Sequence, residues 1–200
     1  SNSNTLWGSE ATNLAYQAFY VMQRVLPEFD NLGIGAGFTD VRVGTEINYI
    51  NSFAQPWDDF QAILLGITEN GGPTALFDIA GHELTHIFLR NFSTEKTKAH
   101  SLHEGLCDII GTYIESKIQT LDWAIGDDDY RTEQSFNRNL QYPGIAFDCF
   151  TEVRDLTNVH RRGKLLGYWF YLISQGKTSP VIPALGLDRA IEIVLASLKN

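Results

Sequence analysis

Between Glu10 and Leu26 the apolar residues Leu14, Ala15, Ala18, Phe19, Met22, Val25 and Leu26 recur at three and four, so the spacing predicts a first helix that Pro27 ends. A Gly-rich loop follows from Asn31 to Gly37. Val41, Val43, Ile47 and Tyr49 then alternate with polar residues as short strands do, and Ala62 to Ile67 fits a further strand. Past the turn signal Gly71, Gly72, Pro73 the periodicity becomes helical, with segments near 74–90, 100–119, 158–175 and 187–199. The stretch from Gly126 to Phe150 is irregular, polar and aromatic. Strands come first and helices afterwards, an order that predicts an α+β fold.

The chain has 200 residues, of which 44% are hydrophobic and 12% aromatic, enough for a sizeable core in one compact unit or in two subdomains around a cleft. Lysines and arginines number 15 against 24 acidic residues, a formal charge of −9 that argues against a nucleic-acid or anionic-membrane partner. The longest apolar stretch, Ala62 to Ile67, is too short for a membrane span. Ser1 to Glu10 is polar and does not read as a signal peptide. Cys107 and Cys149 form no disulfide framework, and the sequence leaves open whether they pair.

Residues 82 to 86 read HELTH. On a helix four residues advance about 400°, so His82 and His86 project from one face and can reach a single zinc ion. Glu83 lies about 100° round from His82, where a general base can face water without being a ligand. A catalytic zinc usually takes a third protein ligand from another element. Glu104 meets that need, in a helix where Glu104 and Asp108 stand one turn apart and Ile109, Ile110 and Ile114 point elsewhere to pack. Asp108 is then the acceptor for a zinc histidine, fixing its tautomer. His100 and His103 offer competing ligands, but His103 adjoins Glu104 and diverges from it on a helix, and that set leaves HELTH unexplained.

HELTH followed by EGLCDIIGTYIE resembles the thermolysin family, and the likeness continues through Asp122, Trp123, Ile125 and Gly126 and again through Asn158 to Gly176. The resemblance implies a thermolysin-like fold with an α+β N-terminal subdomain, residues 1–92, ending in the HELTH helix, a mainly helical C-terminal subdomain, residues 93–200, and a cleft between them. It implies a secreted zinc endopeptidase acting on a peptide or protein substrate, with Glu83 as general base. His160 is the matching oxyanion donor and Asp155 the residue that orients it. Arg161 and Arg162 depart from the small or amide residues usual there, and no tyrosine stands between the zinc helices at 93–98. The two arginines suggest the alternative of a zinc-binding adhesion module without turnover.

Arg138 matches the donor to a substrate backbone carbonyl, Ile79, Ile125 and Asn137 match the pocket for the side chain after the cleaved bond, and Trp57 is assigned to substrate as well. Asn137 stands where a leucine is common, which predicts a less apolar pocket. Asp78, one turn before His82, and Glu115, eleven residues after Glu104, extend the zinc-facing surfaces of their helices. With Asp122 and Asp127 they make four oxygen donors for a structural calcium ion, at positions the family also uses.

Overall fold

A computed structural model describes residues 9–35, 38, 40–56, 61–67, 74, 76–90, 100–126, 138–142, 159–178 and 181–198. The described elements are helix α1 (Ser9–Asn31), strands β1 (Val41–Ile50), β2 (Ser52–Pro56) and β3 (Gln61–Ile67), helices α2 (Phe77–Arg90) and α3 (His100–Ile118), the two-residue strands β4 (Ala124–Ile125) and β5 (Arg138–Asn139), helix α4 (Val159–Gln175), strands β6 (Lys177–Thr178) and β7 (Val181–Ile182), and helix α5 (Leu187–Leu198). The mixture of helices and small sheets agrees with the α+β expectation, and the four later helices fall within a few residues of their sequence ranges.

Two elements differ from that reading. The first helix runs through Pro27 to Asn31. A proline inside a helix costs about 3 kcal/mol, but stopping at Leu26 would forfeit Phe29, which is completely buried and packs edge-on against Phe38 with ring centroids 5.1 Å apart. The helix ends where Gly33 takes φ 69° and donates its N–H to Asp30 O. The second difference is β2, whose sequence SFAQP has no strand alternation. It exists because β3 supplies its partner: Phe53 lies opposite Leu64 and Ala54 opposite Ile63. In the sheet order β1-β3-β2, β3 pairs parallel with β1 and antiparallel with β2. Pro56 closes an edge strand, where a missing N–H is tolerated.

Thr74 ties the sheet to α2. Its hydroxyl accepts hydrogen bonds from Ser52 Oγ and from Gly66 N at 2.8 Å, and its own N–H donates to Gly66 O. The next helix therefore starts from a fixed point on β3.

Both α2 and α3 are buried nearly all round, as expected of core helices. Helix α3 packs between α2 and α4, and glycines set both approaches. A Cβ on Gly111 would lie 2.5 Å from Asp78 O and 3.1 Å from His82 N, and one on Gly81 would lie 3.0 Å from Gly111 Cα. On the other side, a Cβ on Gly105 would meet Gly163 O at 2.8 Å, and one on Gly163 would meet Gly105 N at 2.9 Å. Backbone touches backbone at each crossing. One buried apolar cluster runs from Leu14 of α1 through Ile63, Leu84, Ile110 and Phe170 to Val194 of α5. Tyr113 Oη and Lys117 Nζ both donate to Asp188 Oδ1, which fixes α5 against α3.

The Gly111 contact gives a first prediction. Gly→Ala inside a helix gains about 1 kcal/mol in propensity, whereas overpacking against backbone costs about 1–3 kcal/mol. Because the obstructing atom is a backbone carbonyl, the second effect should win. Gly111→Ala is expected to melt several degrees below the wild type by circular dichroism, and an equal or higher melting temperature would contradict the crossing.

Candidate metal centre

Three helices deliver the site. His82 and His86 come from α2, Glu104 from α3 and His160 from the first turn of α4, while the β4–β5 pair, with Ile125 opposite Arg138, brings in Arg138. His82 Nε2 and His86 Nε2 are 3.1 Å apart, and Glu104 Oε2 lies 3.3 Å from the first and 3.7 Å from the second. A tetrahedral zinc with bonds of 2.0–2.1 Å sets its ligands about 3.3 Å from one another. The observed triangle brackets that value. Glu104 Oε2 is also buried and accepts no aligned hydrogen bond, although His82 and His86 crowd it and His160 Nδ1 is 3.0 Å away. The nitrogens are close enough for ion pairing without pointing a proton at the oxygen, and a buried acceptor left so is suited to a cation.

Behind His82 stands a charged partner. Its Nδ1 is 2.8 Å from Asp108 Oδ1, which also accepts Arg138 Nε at 3.0 Å and Arg138 Nη2 at 2.7 Å. Burial disfavours a charged His82, but the Asp108 and Glu104 carboxylates beside it outweigh that and push its pKa up to about 9. Burial and the charge on His82 push His86 down to about 3. Burial would raise Asp108 as well, yet the Arg138 guanidinium beside it holds it below the usual carboxylate range. For Glu104 burial is likewise outweighed, by His160 and His82, and its carboxyl stays well below its ordinary value. Glu83, 7% exposed, is raised chiefly by burial. A raised carboxyl pKa suits a proton acceptor.

His82, His86 and Cys107 also have donor atoms within 4.8 Å of one another. Cys107 Sγ, however, meets His86 at Nδ1, 3.4 Å away, on the opposite side of the ring from the Nε2 that faces His82 and Glu104. Burial pushes its thiol well above the ordinary range, so it stays neutral. The donor geometry therefore favours the Nε2-facing set with Glu104 as the candidate.

His160 is partly exposed, and its Nδ1 lies 3.1 Å from Arg138 Nη1. Arg138 is 7% exposed, with Nε and Nη2 taken by Asp108. Ile79 and Ile125 are buried members of the main core. Asp155, Asn137, Trp57 and Asp127 lie outside the described residues. The calcium reading receives no support: Asp78, Glu115 and Asp122 belong to no metal-ligating group among the described residues. Asp78, buried, instead accepts the N–H of Ile79 at Oδ1 and of Gly126 at Oδ2. Glu115 Oε1 accepts Gln119 Nε2, and Asp122, exposed, accepts Ala124 N. Sequence reasoning gave Cys107 no place near the site and read His103 only as a rival ligand. Glu104, Cys107 and Asp108 at i, i+3 and i+4 share one helix face, a signal that could have found the first.

Residues 96–200, just over half of the chain, match the family model described as the alpha-helical domain of thermolysin metallopeptidases. The chain belongs to the thermolysin metallopeptidase family. Among curated relatives in this family's range, it is 26% identical to the transglutaminase-activating metalloprotease of Streptomyces mobaraensis over 88% of its length, and 28% identical to bacillolysin of Bacillus cereus over 71%. It covers 25% and 27% of those proteins, so it spans about a quarter of the relatives it matches. No described helix of this family member is long and apolar enough to cross a membrane.

Asp108 yields the second prediction. Removing one partner of a buried ion pair costs about 3–5 kcal/mol, whereas replacing both by apolar groups of similar size is often neutral. Asp108→Ala should lose about that much in urea unfolding, and Asp108→Leu combined with Arg138→Met should recover the part owed to Arg138 and leave the part owed to His82. A single mutant within about 1 kcal/mol of the wild type would be incompatible with a buried Arg138 that depends on Asp108.

Proposed function

We propose that this chain carries the zinc centre of a metalloendopeptidase and hydrolyses peptide bonds in a peptide or protein substrate. The observation that carries this reading is the triangle of His82 Nε2, His86 Nε2 and Glu104 Oε2, at separations of 3.1, 3.3 and 3.7 Å, with Glu83 buried beside it on α2. Those three residues would hold the zinc. When bound, zinc supplies Lewis acidity that polarises a carbonyl and lowers the pKa of water from about 15.7 toward about 7.

The remaining work falls to the chain's own groups. Glu83 accepts the proton of the attacking water at its carboxylate and passes it to the leaving amine. His160, whose Nδ1 accepts from Arg138 Nη1, has Nε2 left to donate to the oxygen that gains charge. Asp108 holds His82 in the tautomer that offers Nε2. A substrate contact by Arg138, a division near residue 92 with a cleft beside the zinc, and secretion belong to the same proposal and rest on the family resemblance. The division has one further support, since His82 and His86 come from before it and Glu104 and His160 from after it.

A fluorogenic-peptide assay with and without a zinc chelator tests the reading. Glu83→Gln should keep its zinc and lose about 10²- to 10⁴-fold in turnover, the contribution of a general base. Glu104→Ala should lose zinc itself. Full zinc occupancy in Glu104→Ala would remove that residue from the ligand set, and undiminished activity in Glu83→Gln would remove the base. A wild type that binds zinc and cleaves nothing would leave a binding module.

A further inference from the structure

Two side chains around His86 have no part in the function proposed above. Cys107, three residues after Glu104 on α3, is fully buried with Sγ 3.4 Å from His86 Nδ1. His103, immediately before Glu104, lays its ring over that of His86, with centroids 4.8 Å apart and planes inclined by 20°. One neighbour thus meets the edge of the imidazole and the other its face.

The two α2 histidines therefore differ in what stands behind them. His82 has the Asp108 carboxylate at Nδ1, 2.8 Å away. His86 has a thiol at the equivalent nitrogen. A ligand histidine usually donates its outer N–H to a carboxylate, a backbone carbonyl or water, and that bond fixes both tautomer and ring orientation.

We propose that Cys107 and His103 are the positioning residues for His86: the thiol sulfur accepts the Nδ1–H hydrogen bond that leaves Nε2 bare for the metal, and the His103 ring fixes the plane. This rests on the reading of His82, His86 and Glu104 as the zinc ligands. Cys107 is not itself a ligand in this arrangement. His82 Nδ1 is taken by Asp108, so only its Nε2 is available, and that atom faces His86 Nε2 at 3.1 Å. An ion shared by the two histidines lies on the Nε2 side of His86, away from the sulfur. Sulfur is a weak acceptor and a neutral one, so it orients His86 without adding a further negative charge to a site that already holds Glu104 and Asp108.

The bland alternative is that Cys107 is a small buried apolar residue that only fills space. Zinc affinity of the full chain, measured by competition with a chromophoric chelator, separates the two. Cys107→Val keeps the volume and removes the acceptor, and should weaken zinc binding about 10- to 100-fold, the usual cost of losing an outer partner. Cys107→Ser restores an acceptor and should recover most of that loss. His103→Ala should weaken binding, and His103→Phe, which keeps a flat ring, should restore it. Should the variants fold poorly, nitrogen-15 NMR of the zinc-loaded wild type gives the answer without them: His86 Nδ1 should carry a slowly exchanging proton.

Wild-type affinity in Cys107→Val, or a zinc-loaded His86 without a proton on Nδ1, overturns the proposal. So does a sulfur-to-metal charge-transfer band in the cobalt-substituted wild type that disappears in Cys107→Val, because it would make Cys107 a ligand. A wild type that binds no zinc at all fails the underlying reading instead, and is recognised before any variant is made.

Discussion

The site depends on three helix backbones being in contact. Helices usually pack with axes 8–10 Å apart because side chains stand between them. Here α3 meets α2 at Gly111 and Gly81 and meets α4 at Gly105 and Gly163, with no room for a Cβ at any of the four. Each glycine lies close in sequence to a site residue: Gly81 precedes His82, Gly105 follows Glu104, and Gly163 is three residues after His160. The short reach of a glutamate and a histidine can then close a triangle of under 4 Å, which wider crossings would leave open.

That close packing creates an electrostatic problem, because it buries Glu83, Asp108, His82 and Arg138 in one region with Glu104 largely covered beside them. Asp108 resolves most of it. A single oxygen, Oδ1, receives His82 and two nitrogens of Arg138, so one buried anion compensates two potential cations. Arg138 extends the same chain of contacts to His160 on α4. The β4–β5 pairing that carries Arg138 is only two residues long, and it is held where it leaves α3: Trp123 adopts φ 67° and buries its ring against Phe170 and Tyr171, while Leu140 N donates to Trp123 O. A strained backbone residue costs about 1–2 kcal/mol, a cost the buried indole offsets.

The parts of this arrangement that follow from helical geometry were legible in the sequence. HELTH places two histidines on one face because four residues make little more than a turn, and the same arithmetic joined Glu104 to Asp108. Partnership across elements was less legible. β2 draws its pattern from β3, so its own residues carry almost no strand signal. Pro27 signals a helix end, and only the burial of Phe29 further along overrides it. The four glycines carry no local signal of their role, because nothing local distinguishes a glycine that lowers helix propensity from one that admits a neighbouring backbone. For Asp78 the spacing one turn before His82 suggested an oxygen donor for a cation, and the fold adds what spacing does not carry: backbone N–H groups of Ile79 and Gly126 at its two oxygens. Charge patterns reveal that a group needs a partner and leave its identity to the fold.

Rigidity across the site is graded in a way that suits a metal reaction. His82 and Glu104 sit on helices that are core elements in their own right, with Leu84, Ile87, Ile109 and Ile110 almost wholly excluded from water. Their positions follow from apolar burial, which a zinc site needs, since bond lengths tolerate errors of only about 0.2 Å. His160 differs. It stands in the first turn of α4, with 43% of its side chain exposed, and is held at Nδ1 by Arg138. A group that must meet a substrate oxygen of varying position gains from that freedom, whereas a metal ligand would lose by it. In the proposed reaction the fixed half of the site would be the half whose geometry coordination sets, and the more exposed His160 the half that meets substrate.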